Sequence, residues 1–270
     1  MTSLVRQPTV FLTHGGGPCF WMDFPAPMGP HAYDGLRDYL SALIGGLPAA
    51  PRAIVMVSAH WEEAAPTVSA APAPGMLFDY YGFPPHTYRL SYPAPGEPQL
   101  AERVRGLLGA AGIAAGTDAA RGFDHGVFVP MLIADPSARI PVVMLSLEGS
   151  LDPERHLAIG AALAPLRAEE VLIIGSGSSY HNLRAIFDGG DGGSVAFDAW
   201  LNETATAVDP AARRARLIDW RHAPNARACH PREEHLIPMM VAVGAAGEDP
   251  GRATFRGRIG GKAYSCFSFG

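Results

Sequence analysis

Three short runs of aliphatic and β-branched residues break off into loops that carry histidine. Val10–Phe11–Leu12–Thr13 runs into His14–Gly15–Gly16–Gly17, and Ile54–Val55–Met56–Val57–Ser58–Ala59 into His60–Trp61. Val171–Leu172–Ile173–Ile174 opens into Gly175–Ser176–Gly177–Ser178–Ser179–Tyr180–His181. Apolar runs this short, bounded by turn residues, read as strands buried on both faces. Further strands are expected at Thr67–Ala71 and Pro141–Leu147, and Gly260–Gly261 is placed to turn a closing hairpin of Thr254–Ile259 with Ala263–Phe269. Between them, helical spacing predicts helices over His31–Leu43, Gln99–Ala111, Pro153–Leu166, Phe197–Val208, Ala211–Asp219 and Glu233–Ala245, the last strongly apolar on one face. Strands alternating with helices predict an α/β fold: a largely parallel central sheet with helices on both faces and an extra β-hairpin near the C-terminus. No internal repeat or boundary interrupts the pattern, so residues 1–270 read as a single domain.

Composition narrows the partners. Charged residues make up only 17% of the chain and the net charge is −5, which argues against nucleic acid. No apolar run reaches the length of a membrane span, and the N-terminal residues lack a signal-peptide apolar region, so no membrane partner and a cytoplasmic location are expected. Three widely spaced cysteines, Cys19, Cys229 and Cys266, fit free thiols in a reducing compartment. Asp188–Ser194, rich in glycine, reads as a mobile surface loop.

Ligands of open α/β sheets bind outside the carboxyl ends of the strands. Imidazoles delivered there by His14, His60 and His181 point to a metal site, since neutral histidine suits both iron and zinc. His125 lies in Gly122–Phe123–Asp124–His125–Gly126, where glycine permits close approach to the backbone. His230 and His235 fall in Cys229–His230–Pro231–Arg232–Glu233–Glu234–His235, where Pro231 and the acidic pair are expected to open a helix that carries His235 in its early turns. His31, His86, His156 and His222 read as ordinary surface or loop residues. Cys229 has no partner at Cys-x-x-Cys spacing and reads as structural. The alternatives are weaker: the third run ends in Gly-Ser-Gly-Ser-Ser rather than Gly-x-Ser-x-Gly, and neither a dinucleotide fingerprint nor a phosphate loop is present.

Five motifs in fixed order, Leu12–Thr–His14–Gly, Ser58–Ala–His60–Trp61, Gly122–Phe–Asp–His125–Gly126, His181–Asn182–Leu183 and Glu234–His235–Leu236–Ile237–Pro238, resemble the class III extradiol ring-cleaving dioxygenases of protocatechuate 4,5-dioxygenase beta-subunit type. Within that family the chain is most similar to the 4,5-DOPA dioxygenase subgroup, and Tyr92–Pro–Ala–Pro–Gly96 is a further match. The resemblance implies a mononuclear non-haem metal held by His14, His60 and His235, with His181 as acid/base residue or fourth ligand and His125 lining the site. It implies Fe(II) for activity, with Zn(II) possible in the isolated protein, and a small-molecule catechol and O2 as the reactants. Two departures matter. His-Gly-Gly-Gly-Pro is one residue longer than the His-Gly-Ser-Pro form of part of the family, and the protocatechuate branch uses a glutamate as third ligand, which sets Glu234 against His235. Arg184, Arg227 and Arg232 are candidates for a substrate carboxylate, and Trp21, Trp61, Phe123, Tyr180 and His230 for the substrate pocket. A zinc-dependent hydrolase, or a non-catalytic metal-binding protein, is the alternative on the same three imidazoles.

Overall fold

The computed structural model describes residues 5–270. Eight strands form one mixed sheet: β1 (Thr9–Thr13), β2 (Ala53–Glu63), β3 (Thr67–Ser69), β4 (Gly116–Asp118), β5 (Val142–Glu148), β6 (Val171–Gly177), β7 (Gly251–Ile259) and β8 (Lys262–Phe269). Their order across the sheet is β4-β3-β5-β2-β6-β1-β8-β7. The centre, β5-β2-β6-β1, is parallel, whereas β3 against β5, β8 against β1 and the β7–β8 hairpin are antiparallel. Gly260 and Gly261 turn that hairpin with φ of 55° and 85°, a backbone region open chiefly to glycine.

The helices are α1 (Asp34–Leu43), α2 (Pro98–Ala110), α3 (His125–Ala134), α4 (Pro153–Leu163), α5 (Ser194–Ala205), α6 (Pro210–Ile218), α7 (Ala226–Cys229) and α8 (Ile237–Ala246). Strand alternation splits them between two layers. Ile54 and Met56 of β2 pack with α1, α3 and α5 residues such as Leu40, Phe128 and Leu201. Val55 and Val57 point the other way, onto Leu100 and Val104 of α2 and Ile159 of α4. The result is a single α/β domain with a C-terminal hairpin, as the alternation of strands and helices predicts.

Four expectations change. β2 does not stop before His60. It runs on to Glu63, and its pairing with β5 slips from Val57↔Leu145 to Glu62↔Leu147, a bulge whose extra residues include His60. The last long helix starts at Ile237, not near Pro231. Proline lacks an N–H and sits comfortably only in a first turn, so Pro238 marks the start and His235 stays in the turn before it. That helix is buried all round rather than on one face. His156, read as a surface residue, is fully buried: its Nδ1–H donates to the Asp152 carbonyl at 2.7 Å and its Nε2 accepts from the Glu148 N–H at 3.1 Å.

Candidate metal centre

The carboxyl ends of the parallel neighbours β2, β6 and β1 lie side by side, and the histidines collect there. His14 directly follows β1, and its N–H donates to the Gly177 carbonyl of β6 at 3.1 Å. His235 is docked on the same strand end, because the Ser178 N–H donates to its carbonyl at 2.9 Å. That approach requires glycine at 177, where a Cβ would lie 2.1 Å from the His235 carbonyl oxygen. The β2 bulge turns His60 toward both. His60 Nε2 lies 3.1 Å from His14 Nε2 and 3.3 Å from His235 Nε2.

The remaining ring nitrogens explain why all three Nε2 atoms face one point. Ser176 donates its hydroxyl to the Gly126 carbonyl at 2.5 Å, so its oxygen accepts from His14 Nδ1–H at 2.9 Å. His235 Nδ1–H donates to Glu234 Oε1 at 3.0 Å. Both rings are thereby fixed as Nδ1–H tautomers, with the Nε2 lone pair free; His60 Nδ1 faces Asp79 at 3.6 Å. Burial, reinforced by the neighbouring imidazoles, pushes the pKa of His14 and of His235 well below its ordinary value. Burial does the same to His60, aided by His125 and opposed by Asp79. Three neutral nitrogens this close have only poor hydrogen bonds to offer one another. A cation bound about 2.0–2.1 Å from each nitrogen spaces its ligands by about 3.0–3.4 Å, which the observed separations match. The donor set therefore fits a divalent transition metal.

Two further histidines flank the trio with the same construction. His181 stacks on His235 with ring centroids 3.3 Å apart, and its Nδ1–H donates to Glu234 Oε1 at 3.1 Å. His125, at the first turn of α3, donates from Nδ1 to Asp79 Oδ1 at 2.8 Å and lies 3.8 Å, centroid to centroid, from His60. Burial pushes the Glu234 and Asp79 carboxyls up, but the bonds from His181 and His125 outweigh it, so both groups sit below their ordinary values and are ionised at neutral pH. Glu234, the rival ligand, thus spends Oε1 on the Nδ1 atoms of two histidines. Ser58 donates to Asp124 Oδ1 at 2.8 Å, and Arg121 joins Asp124 Oδ2 at 2.9 Å to the His60 carbonyl at 3.2 Å, clamping β2 to the start of α3.

The histidines floor a cavity of about 720 Å³ that Tyr180 and Arg232 also line. Several sequence candidates lie elsewhere. Trp61 alternates away from His60 and Glu62 and is buried under the Arg121 guanidinium, 4.9 Å from its ring. Phe123 is fully buried beside Tyr92. His230 is buried between Phe197 and Trp220, donates from Nε2 to the Ser179 carbonyl at 3.0 Å, and has its pKa pushed down to about 4, chiefly by burial. Arg184 is exposed on the outer side of its turn, and Arg227 is spent on Glu233 and the face of Trp220. Trp21 does not line the cavity either. The sequence reading missed Asp79, an isolated carboxylate in the aromatic stretch Phe78–Tyr80; that isolation was its one visible signal.

Residues 8–265 match the model of the catalytic LigB subunit of aromatic ring-opening dioxygenase. The chain belongs to the LigB family. Among LigB relatives, a dioxygenase, tasH, of Hapsidospora irregularis is 38% identical over 270 residues, covering 92% of this chain and 81% of that protein. The 4,5-DOPA dioxygenase extradiol of Beta vulgaris is 41% identical over 203 residues, covering 74% of this chain and 75% of that protein. The crystal structure of an uncharacterized Escherichia coli K12 protein superposes with a TM-score of 0.76 at 29% identity, covering 98% of this chain and 100% of that one. As a LigB protein this is a metal-dependent extradiol dioxygenase, acting on a small aromatic molecule with O2. The zinc-hydrolase and binding-module alternatives are not favoured.

Proposed function

We propose that the chain, as a single catalytic domain, opens a catechol ring at ferrous iron held by His14, His60 and His235. The observation that carries this is the meeting of three imidazoles whose ligand nitrogens all lie within 4.8 Å of one another, with the His14 and His235 rings fixed as Nδ1–H tautomers. Iron bound there would supply electron transfer between a catecholate and dioxygen. Everything else falls to the chain's own groups. His181 keeps its Nε2 lone pair on the cavity side, because ionised Glu234 holds Nδ1–H; it accepts a catechol hydroxyl proton as general base. His181 then carries that proton and returns it to the ring-opened product, with His125, oriented by Asp79 across the trio, as the second acid–base imidazole on the cavity. Glu234 keeps both His181 and His235 in place, which favours His235 over Glu234 as ligand and His181 as base over fourth ligand.

The DOPA subgroup resemblance and the Beta vulgaris relative favour an amino-acid catechol as substrate, with Arg232 as the arginine on the cavity wall; its guanidinium forks onto Glu62, so a substrate carboxylate competes with Glu62 for it. The buried free thiols of Cys19, Cys229 and Cys266, and the lack of any membrane-length apolar helix among the described residues, support a cytoplasmic setting. The test is anaerobic reconstitution with Fe(II) or Zn(II), followed by air and a catechol panel in an oxygen electrode. Iron-dependent oxygen uptake with a yellow product is expected; uptake with neither metal would defeat the proposal.

A further inference from the structure

The cavity is far larger than a catechol ring needs, since a cavity of about 150 Å³ accommodates benzene and this one holds about 720 Å³. One wall of the spare space is apolar. The turn after His181 presents Leu183, Ile186 and Phe187 at i, i+3 and i+4, so all three fall on one side, and all three line the cavity. Tyr81 lines the cavity too, and it is 91% exposed, with Leu183 at 65% and Phe187 at 53%. Among the described residues, the other exposed large apolar ones, such as Val208 and Ile218, do not line it. Exposed apolar side chains gathered at the mouth of a polar-floored pocket mark a binding surface. The turn is tied down from below: fully buried Lys262 on β8 binds the Asp188 carboxylate and the Gly190 carbonyl, so Asp188–Ser194, expected as a free loop, is anchored next to Phe187.

We infer that this wall seats an apolar arm on the catechol, so that the site takes ring-substituted catechols with an alkyl or aryl extension as well as small polar ones. The inference rests on the ring-opening reading, and the chemistry of the wall commits it to an uncharged hydrocarbon extension of the ring. The probes are 4-methyl-, 4-ethyl-, 4-propyl- and 4-butylcatechol. Dissociation constants are measured by calorimetry without oxygen on iron-loaded enzyme, and kcat/KM is then measured in air. Burial of each added methylene is expected to tighten binding by about fourfold, or about 60-fold from methyl to butyl. In the Leu183→Ser/Phe187→Ser double variant, altered at two exposed positions, the butyl-to-methyl ratio is expected to fall to within a fewfold of one, while Val208→Ser keeps it. Lys262→Met, which frees the turn, lowers the ratio as well. A flat series in the parent, or the same slope in the double variant, overturns the inference even if every catechol is opened. A dimer that the double variant dissolves, with a flat series, reassigns the wall to a second copy and also overturns it. Failure to open any catechol, whatever the slopes, strikes the ring-opening reading instead and removes the arm's standing as part of a substrate.

Discussion

At the residue scale the site is a set of five imidazoles sorted by what their Nδ1 atoms touch. Ser176 and Glu234 leave the Nε2 atoms of His14 and His235 pointing at a shared centre, while His181 and His125 carry the same Nδ1–carboxylate pairing beside it. The roles separate by experiment. His235→Ala removes one of the three proposed ligands, and metal content is expected to fall with activity. His181→Ala is expected to keep its metal and lose about 100- to 10,000-fold in kcat, the usual worth of general acid–base help. Metal analysis beside steady-state rates distinguishes them; equal metal loss in both variants would make His181 a ligand. Glu234→Ala removes the acceptor shared by His181 and His235, and a loss of metal affinity of about 10- to 100-fold is expected, together with lower turnover. The motifs made all of these histidines visible in sequence. The Nδ1 partners were not, because Ser176, Asp79 and Glu234 reach them across 162, 46 and 53 positions of chain or from the adjacent residue, and only the fold decides which oxygen lands there.

At the element scale, two junctions position the clustered histidines. One is the β2 bulge carrying His60; the other is the close dock of His235 on the end of β6. Gly177→Ala places a methyl group where the His235 carbonyl oxygen already sits, 2.1 Å from the new carbon. Overpacking of this kind costs about 1–3 kcal/mol. We expect a lower urea midpoint and weakened metal binding in the same variant, read by denaturation and by metal titration. The bulge and the late start of α8 were hidden from the sequence reading for the same reason. A period-two pattern does not announce an inserted residue, and the acidic pair at Glu233–Glu234 imitates a helix opening although those carboxylates are committed to Arg221, Arg227, His181 and His235.

His156 gives α4 a pH signature. Burial lowers its pKa, and its Nε2 accepts from a backbone N–H, so it is neutral when folded. The unfolded chain takes up a proton near pH 6.5 that the folded chain refuses, so the contribution of His156 is intact above that pH and lost as pH falls below it, by at most about 1.4 kcal/mol per unit. The stability advantage of the parent over His156→Gln, measured in urea, is therefore expected to shrink between about pH 7.5 and about pH 5.5. An advantage independent of pH would contradict the neutral-histidine assignment.

Across the whole molecule, Arg167 gathers the two ends of the sheet's core. Its fully buried guanidinium donates to the carbonyls of Gln7, Ala245 and Ala246 and pairs with Asp249 at 2.7 Å, joining the chain before β1 to the end of α8 and the approach to β7. Arg167→Ala strands those carbonyl acceptors while Asp249 keeps Arg6 as its partner, and a loss of about 1–3 kcal/mol is expected. Because the ties lie away from the cavity, kcat is expected to hold in whatever fraction remains folded, which activity per folded molecule measures.

Local physics was enough for the broad architecture. Short β-branched runs between helical stretches dictate a parallel-centred α/β sheet, paired glycines dictate the closing hairpin, and histidines following the strands mark the functional edge. These are properties of neighbouring residues, and a linear reading contains them. Tertiary structure alone decided which side chains share a space. Trp61, Phe123, His230 and Arg184 lay beside the motifs yet turned into core or solvent, whereas Asp79, Tyr81 and Leu183 came to the cavity. The reason is geometric: strand alternation, a bulge and the three-to-four-residue step of a turn set side-chain direction, and a shift of one position reverses it.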